Sequence, residues 1–141
     1  ETRPLIMAHA STDLQVLKSQ FRTALEKRHY SPAGNIAHEI GILLEDHGKP
    51  DRALRWHEED ARLQQRAGNV MDEVEAHHRI GLTRLRLDRH EEAVAAFEHQ
   101  HRCALMLRGT QRQLKAQEAL VNLGRAHSEL GTFLKEGGGV G

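Results

Sequence analysis

The chain has 141 residues, with twenty Lys plus Arg against twenty Asp plus Glu, and this zero formal charge gives no gross pull toward nucleic acid or a membrane surface. Aromatic residues are 4% of the chain, too few for base-stacking platforms, and no apolar run approaches the roughly 18–20 residues of a membrane span. The single cysteine, Cys103, excludes an internal disulfide framework and is compatible with a reducing compartment.

Mean hydropathy is −0.63, and apolar residues reach 38%, below the usual globular share. Such a chain buries thin seams between helices more readily than one thick core. No charged segment followed by an apolar stretch marks a secretory leader.

Proline occurs only at Pro4, Pro32 and Pro50, and the intervening sequence is rich in strong helix formers. The first predicted helix covers 12–29, where Leu14, Leu17, Phe21, Ala24 and Leu25 fall on one stripe and Ser11 or Thr12 supplies a cap. Ser31-Pro32 opens the second, over 33–47, with Ile36, Ile40, Leu43 and Leu44 as its apolar face and Gly48 as its stop. Asp51 caps a third over 52–66, ending at Gly68-Asn69. Helices over 70–87, 90–108 (stopped by Gly109) and 111–130 (stopped by Gly131) follow. Residues 1–11 read as a tail, 12–131 as the repeat domain, and 132–141, with Gly137-Gly138-Gly139, as a flexible end.

The internal repeat carries the fold prediction. Ile40-Gly41, Ile80-Gly81 and Leu123-Gly124 each pair an aliphatic residue with glycine, at steps of 40 and 43 residues. Twelve residues after the first two glycines stand Ala53 and Ala93, each followed by an aliphatic residue. Small residues at those places let two helices approach closely, and Leu44, Leu54 and Phe97 fill around the contact. This pattern resembles the tetratricopeptide (TPR) repeat, in which a Leu-Gly helix is followed by a helix carrying Ala and then an aromatic. Phe97 holds that aromatic position in the second repeat; His57 holds it in the first, a departure from the pattern. The period exceeds the usual 34, which is the long form of Pins/LGN proteins, kinesin light chains and the N-terminal repeats of Tonsoku-like proteins. The stretches Ala37–Gly81 and His99–His127 are most similar to the Tonsoku-like repeats. The resemblance implies an all-α solenoid of six to seven helices: a leading helix, two pairs, and a third A helix with an incomplete partner.

The side chains that invite chemistry read as structural. Eleven histidines raise the question of a metal, but His77 and His78 diverge by about 100° on a helix. His99 and His101 also point apart, and His99 with Cys103 gives only two ligands at i, i+4 spacing. No metal, no cofactor and no catalytic residue is expected. Cys103 has no orienting Asn or Asp for a nucleophilic role and fits a small buried position. Glu58-Glu59-Asp60 and Glu91-Glu92 suit the first turns of helices. Arg79, Arg84, Arg86 and Arg89 lie among acidic residues that cancel their field, so no nucleic acid is expected as a partner.

In the TPR family the A helices line a concave groove. Counting from the glycines, the protein-binding positions are Asn35, His38, Glu39 and Glu45 in the first repeat, beside Ile42 and Asp46. They are His78, Arg79, Leu82 and Arg86 in the second, and Asn122 and Arg125 in the third. The resemblance places Asn122 against a bound peptide backbone, where an amide both donates and accepts. An acidic first repeat and a more basic second suit a peptide of mixed charge. The expected function is therefore a non-enzymatic protein–protein interaction module. A Tonsoku-like identity implies a nuclear scaffold for recombination repair of broken replication forks. A spindle-orientation or cargo adaptor, or a bacterial regulator, would be cytoplasmic. Leu120, Leu123, Leu130 and Phe133 would be left open on the third A helix, so self-association there is also expected.

Overall fold

A computed structural model describes the backbone of residues 2–137 and the side chains of residues 13–137. Six helices and no strand are present among the described residues, the expected all-α fold of repeated helix pairs. The chain divides into two compact units, Glu1–Asn69 and Val70–Gly141.

The first unit holds α1 (Thr2–Glu26), α2 (Tyr30–Asp46) and α3 (Pro50–Ala67). α1 begins well ahead of the expected start at residue 12, and the Ser11 and Thr12 side chains lie outside the described residues. Ala33, Ala37, Ile40 and Leu44 of α2 are buried between Phe21 and Ala24 of α1 and Ala53 and Leu63 of α3. Trp56 meets the Phe21 ring edge-on, with centroids 5.1 Å apart, a geometry that adds about 0.5–1.5 kcal/mol to the buried area.

The second unit holds α4 (Val70–Arg86), α5 (His90–Ala104) and α6 (Gly109–Lys135). Leu85, Ala93, Phe97 and Ala126 form one buried cluster, with Leu82, Val94 and Leu123 against it. Val74, Cys103 and Ala104 form another, covered by Val70, Leu107 and Ala116. α5 ends at Ala104 rather than 108, because Met106 and Leu107 turn back to hydrogen-bond the Cys103 and Ala104 carbonyls. α6 passes through Gly131 without a break, so no seventh helix follows it among the described residues. Residues 138–141 lie outside them.

Four linkers are built alike. Arg28, Gly48, Gly68 and Asp88 adopt positive φ of 59°, 72°, 75° and 58°. After each, the next N–H reaches back to the carbonyl of Ala24, Leu44, Gln64 or Arg84 at 2.9 or 3.0 Å. This is the Schellman closure. It turns the chain so tightly that the next helix starts at once. That is why α2 and α3 begin at Tyr30 and Pro50, ahead of the expected starts, and why no side chain caps them.

The repeat seams differ from the expected pairing in one respect. Ala53 and Ala93 are fully buried at the helix contacts, as expected. The glycines, however, face rings sixteen residues on. A Cβ at Gly81 would lie 2.3 Å from Phe97 Cε1, and one at Gly41 would lie 2.5 Å from His57 Cε1. His57 is thus a ring-for-ring replacement of Phe97, fully buried, with its Nε2 3.2 Å from Glu45 Oε1. Gly124 meets nothing within 4 Å.

Candidate functional site

The ten expected binding positions separate into those used inside a unit and those facing outward. In the first unit, Glu45 is almost fully buried against His57, so it serves the α2–α3 seam. Asn35 accepts a hydrogen bond at 3.0 Å from Gln64 Nε2. The two N–H groups of the same Gln64 amide are shared between Asn35, the Ser31 carbonyl at 3.2 Å and Asp60 Oδ1 at 3.1 Å. That network ties α2 to α3 because Gln64 is fully buried and its amide must be satisfied there.

His38 and Glu39 instead line a groove between α1 and α2, with a volume of about 510 Å³. Its apolar floor is Val16 and Leu17 of α1 with Ile42 and Leu43 of α2. Asp13, Glu39 and Asp46 stand around it with Gln20 and His38, and no Lys or Arg contributes to its lining among the described residues. Val16 is 46% exposed. Sequence reasoning set α1 apart as a leading helix and so missed the wall formed by Asp13, Val16, Leu17 and Gln20. The signal was present in the α1 stripe, where Leu14, Leu17 and Phe21 form the buried edge and Val16 sits one residue off it.

In the second unit, Asn122 does not point outward. Its Nδ2 lies 2.8 Å from His78 Nδ1 and donates to Gln100 Oε1 at 3.2 Å. Gln100 is fully buried, so this trio links α4, α5 and α6. With Asn122 donating, the His78 ring is neutral with Nδ1 as acceptor, and burial lowers its pKa to match. Leu82 packs into the core cluster. Arg79 is half-buried and Arg86 exposed. Arg125 pairs with Glu129 one turn along α6 at 2.7 Å, which spends its charge locally. His78 and Asn122 are therefore brought together, while Arg125 is paired within α6.

The open face of α6 also differs from expectation. Leu123 is in the core cluster, and Phe133 packs on the His90 ring with centroids 4.5 Å apart. Leu130 is half-buried. The exposed apolar residues are Leu114, Leu120, Val121 and Leu134, between 49% and 63% accessible.

One further cluster escaped sequence reasoning. Glu73 and His77 of α4 meet Cys103 of α5, with one ligand-type atom from each within 4.8 Å of the others. His77 Nε2 is 3.3 Å from Glu73 Oε2, and its ring stacks on His99 at 5.1 Å and 15°. Burial, with the Glu73 carboxylate beside it, pushes the Cys103 thiol up to about 12, which leaves it protonated and unsuited to nucleophilic attack. Burial likewise lowers the pKa of His77. The spacing of Glu73 and His77 is legible as i, i+4; their meeting with Cys103 depends on the antiparallel register of α4 and α5.

No protein-family model matches the sequence. Over 96 residues, 68% of this chain, it is 30% identical to a Tonsoku-like protein of Bos taurus, and the match spans 7% of that protein's length. No helix among the described residues is long and apolar enough to cross a membrane.

Proposed function

We propose that this chain is a non-catalytic protein–protein interaction module within a larger scaffold, built from TPR repeats of the long type. The observation that carries the reading is the α1–α2 groove, with an apolar floor and, among the described residues, an acidic lining that holds no Lys or Arg. Apolar anchors in a concave seat supply affinity, and charge around it selects partners and speeds their approach. The groove accordingly takes a helical peptide segment with aliphatic residues on one face and Lys or Arg beside them. The all-helical repeat fold and the likeness to a Tonsoku-like protein support this reading. In the scaffold reading the larger protein is nuclear and acts in recombination repair of broken replication forks. That part rests on the resemblance of the Ile40-Gly41, Ile80-Gly81 and Leu123-Gly124 repeats.

Two labelled amphipathic peptides of one aliphatic pattern, one lysine-rich and one glutamate-rich, test the groove by fluorescence anisotropy. The basic peptide is expected to bind and the acidic one to fail. Glu39→Lys with Asp46→Lys should weaken the basic peptide by tenfold or more, on the order of 1.4 kcal/mol, and Ile42→Asp should weaken it at any salt concentration. Equal binding of both peptides, or no effect of these changes, would refute the assignment.

A further inference from the structure

We propose that Glu73, His77 and Cys103 form a zinc site in the second unit. Carboxylate, imidazole and thiolate are the three ligand types that zinc takes from proteins, and a soft sulfur beside nitrogen selects zinc over magnesium or calcium; the bound ion displaces the proton that Cys103 otherwise keeps and releases it to solvent. Tetrahedral zinc with bonds near 2.0–2.3 Å needs donor atoms about 3.3–3.8 Å apart. The Glu73 and His77 donors already stand 3.3 Å apart, and all three lie within 4.8 Å. The remaining gap is on the scale of a side-chain rotation. Val74, Ala104 and Leu107 keep the surroundings of Cys103 apolar, and the His99 ring stacked on His77 holds the imidazole plane. Three protein ligands leave the fourth position to water.

The repeat itself supplies a second, independent observation. Forty residues earlier, the same register positions are Ala33, Ala37 and Leu63, all buried in the core of the first unit. The helix hairpin therefore packs without any polar atom at these places. The second repeat replaces all three with ligand-type residues, and the fold brings them to one point.

The full chain, stripped with a chelator and dialysed against zinc, should take up one equivalent, and zinc should raise its unfolding temperature. Cobalt should give a thiolate-to-metal charge-transfer band and the strong visible bands of tetrahedral coordination. His77→Ala and Cys103→Leu restore first-repeat residues, and each is expected to weaken zinc binding at least tenfold. Cys103→Leu should also abolish the charge-transfer band. His47→Ala, at an exposed histidine of the first unit, should change nothing. Absence of zinc uptake by the unaltered chain would overturn the proposal. So would uptake that survives both substitutions unchanged, since it would belong to other histidines. If Cys103→Leu fails to fold, His77→Ala decides alone, and unchanged affinity there is the overturning result.

Discussion

Gly81 and Gly124 end the same aliphatic–glycine pair in successive repeats, yet their surroundings are opposite. A Cβ at Gly81 falls 2.3 Å from Phe97 Cε1 and 2.5 Å from Cζ, whereas one at Gly124 meets nothing within 4 Å. Phe97 is fully buried, packed with Leu85 and Ala93, so its ring cannot yield alone. Either glycine changed to alanine gains up to about 1 kcal/mol of helix propensity. At Gly81 that gain is set against an overpacking cost of about 1–3 kcal/mol. Comparing the two variants cancels the shared gain, so Gly81→Ala should be less stable than Gly124→Ala by about 1–3 kcal/mol. Both residues lie in the second unit, so one urea titration followed by circular dichroism compares them directly. Repeating the Gly81 change in a Phe97→Leu background should recover part of the loss, because residues in contact do not add. Equal stability of the two alanine variants, or full additivity with Phe97→Leu, would refute the glycine–ring seam.

Two other outcomes follow from the second unit. Asn122→Ala removes the hydrogen bonds to His78 and Gln100 and leaves a buried amide short of a partner, which should cost about 1–3 kcal/mol. A variant of unchanged thermal stability would return Asn122 to a ligand-facing role. The exposed Leu114, Leu120, Val121 and Leu134 of α6 should drive concentration-dependent self-association in sedimentation velocity, abolished by Leu120→Glu with Val121→Glu. A monomer at every concentration, with no binding of an apolar dye, would count against it.

The repeat phase was legible because close helix approach demands small residues at fixed places, and Gly41, Gly81, Ala53 and Ala93 meet that demand whatever surrounds them. Their partners were not legible. Sequence pattern sets Gly against Ala twelve residues on, while the fold sets Gly against a ring sixteen residues on. The α1–α2 boundary shifted because that linker closes through Arg28 at positive φ, and arginine does not signal that conformation as glycine does. The binding set was legible only in part. His38 and Glu39 line a groove between α1 and α2, whereas Asn35, Glu45 and Asn122 satisfy buried partners. A polar residue on a predicted groove face looks the same in sequence whether it awaits a ligand or completes a network.

The two repeat seams solve one packing problem with different pairs of residues. In the second repeat Phe97 stands with Leu85 in one apolar cluster. In the first, the same register positions are His57 and Glu45, 3.2 Å apart and almost wholly enclosed. Neither member of the polar pair can drift by itself. Phenylalanine at 57 alone would remove one partner from a largely enclosed carboxylate, and leucine at 45 alone would take an acceptor from the enclosed His57 imidazole. Lineages carrying this hairpin should therefore inherit positions 45 and 57 as a linked couple, either both polar or both apolar. Sequences mixing the two would mark chains in which the first seam has been rebuilt.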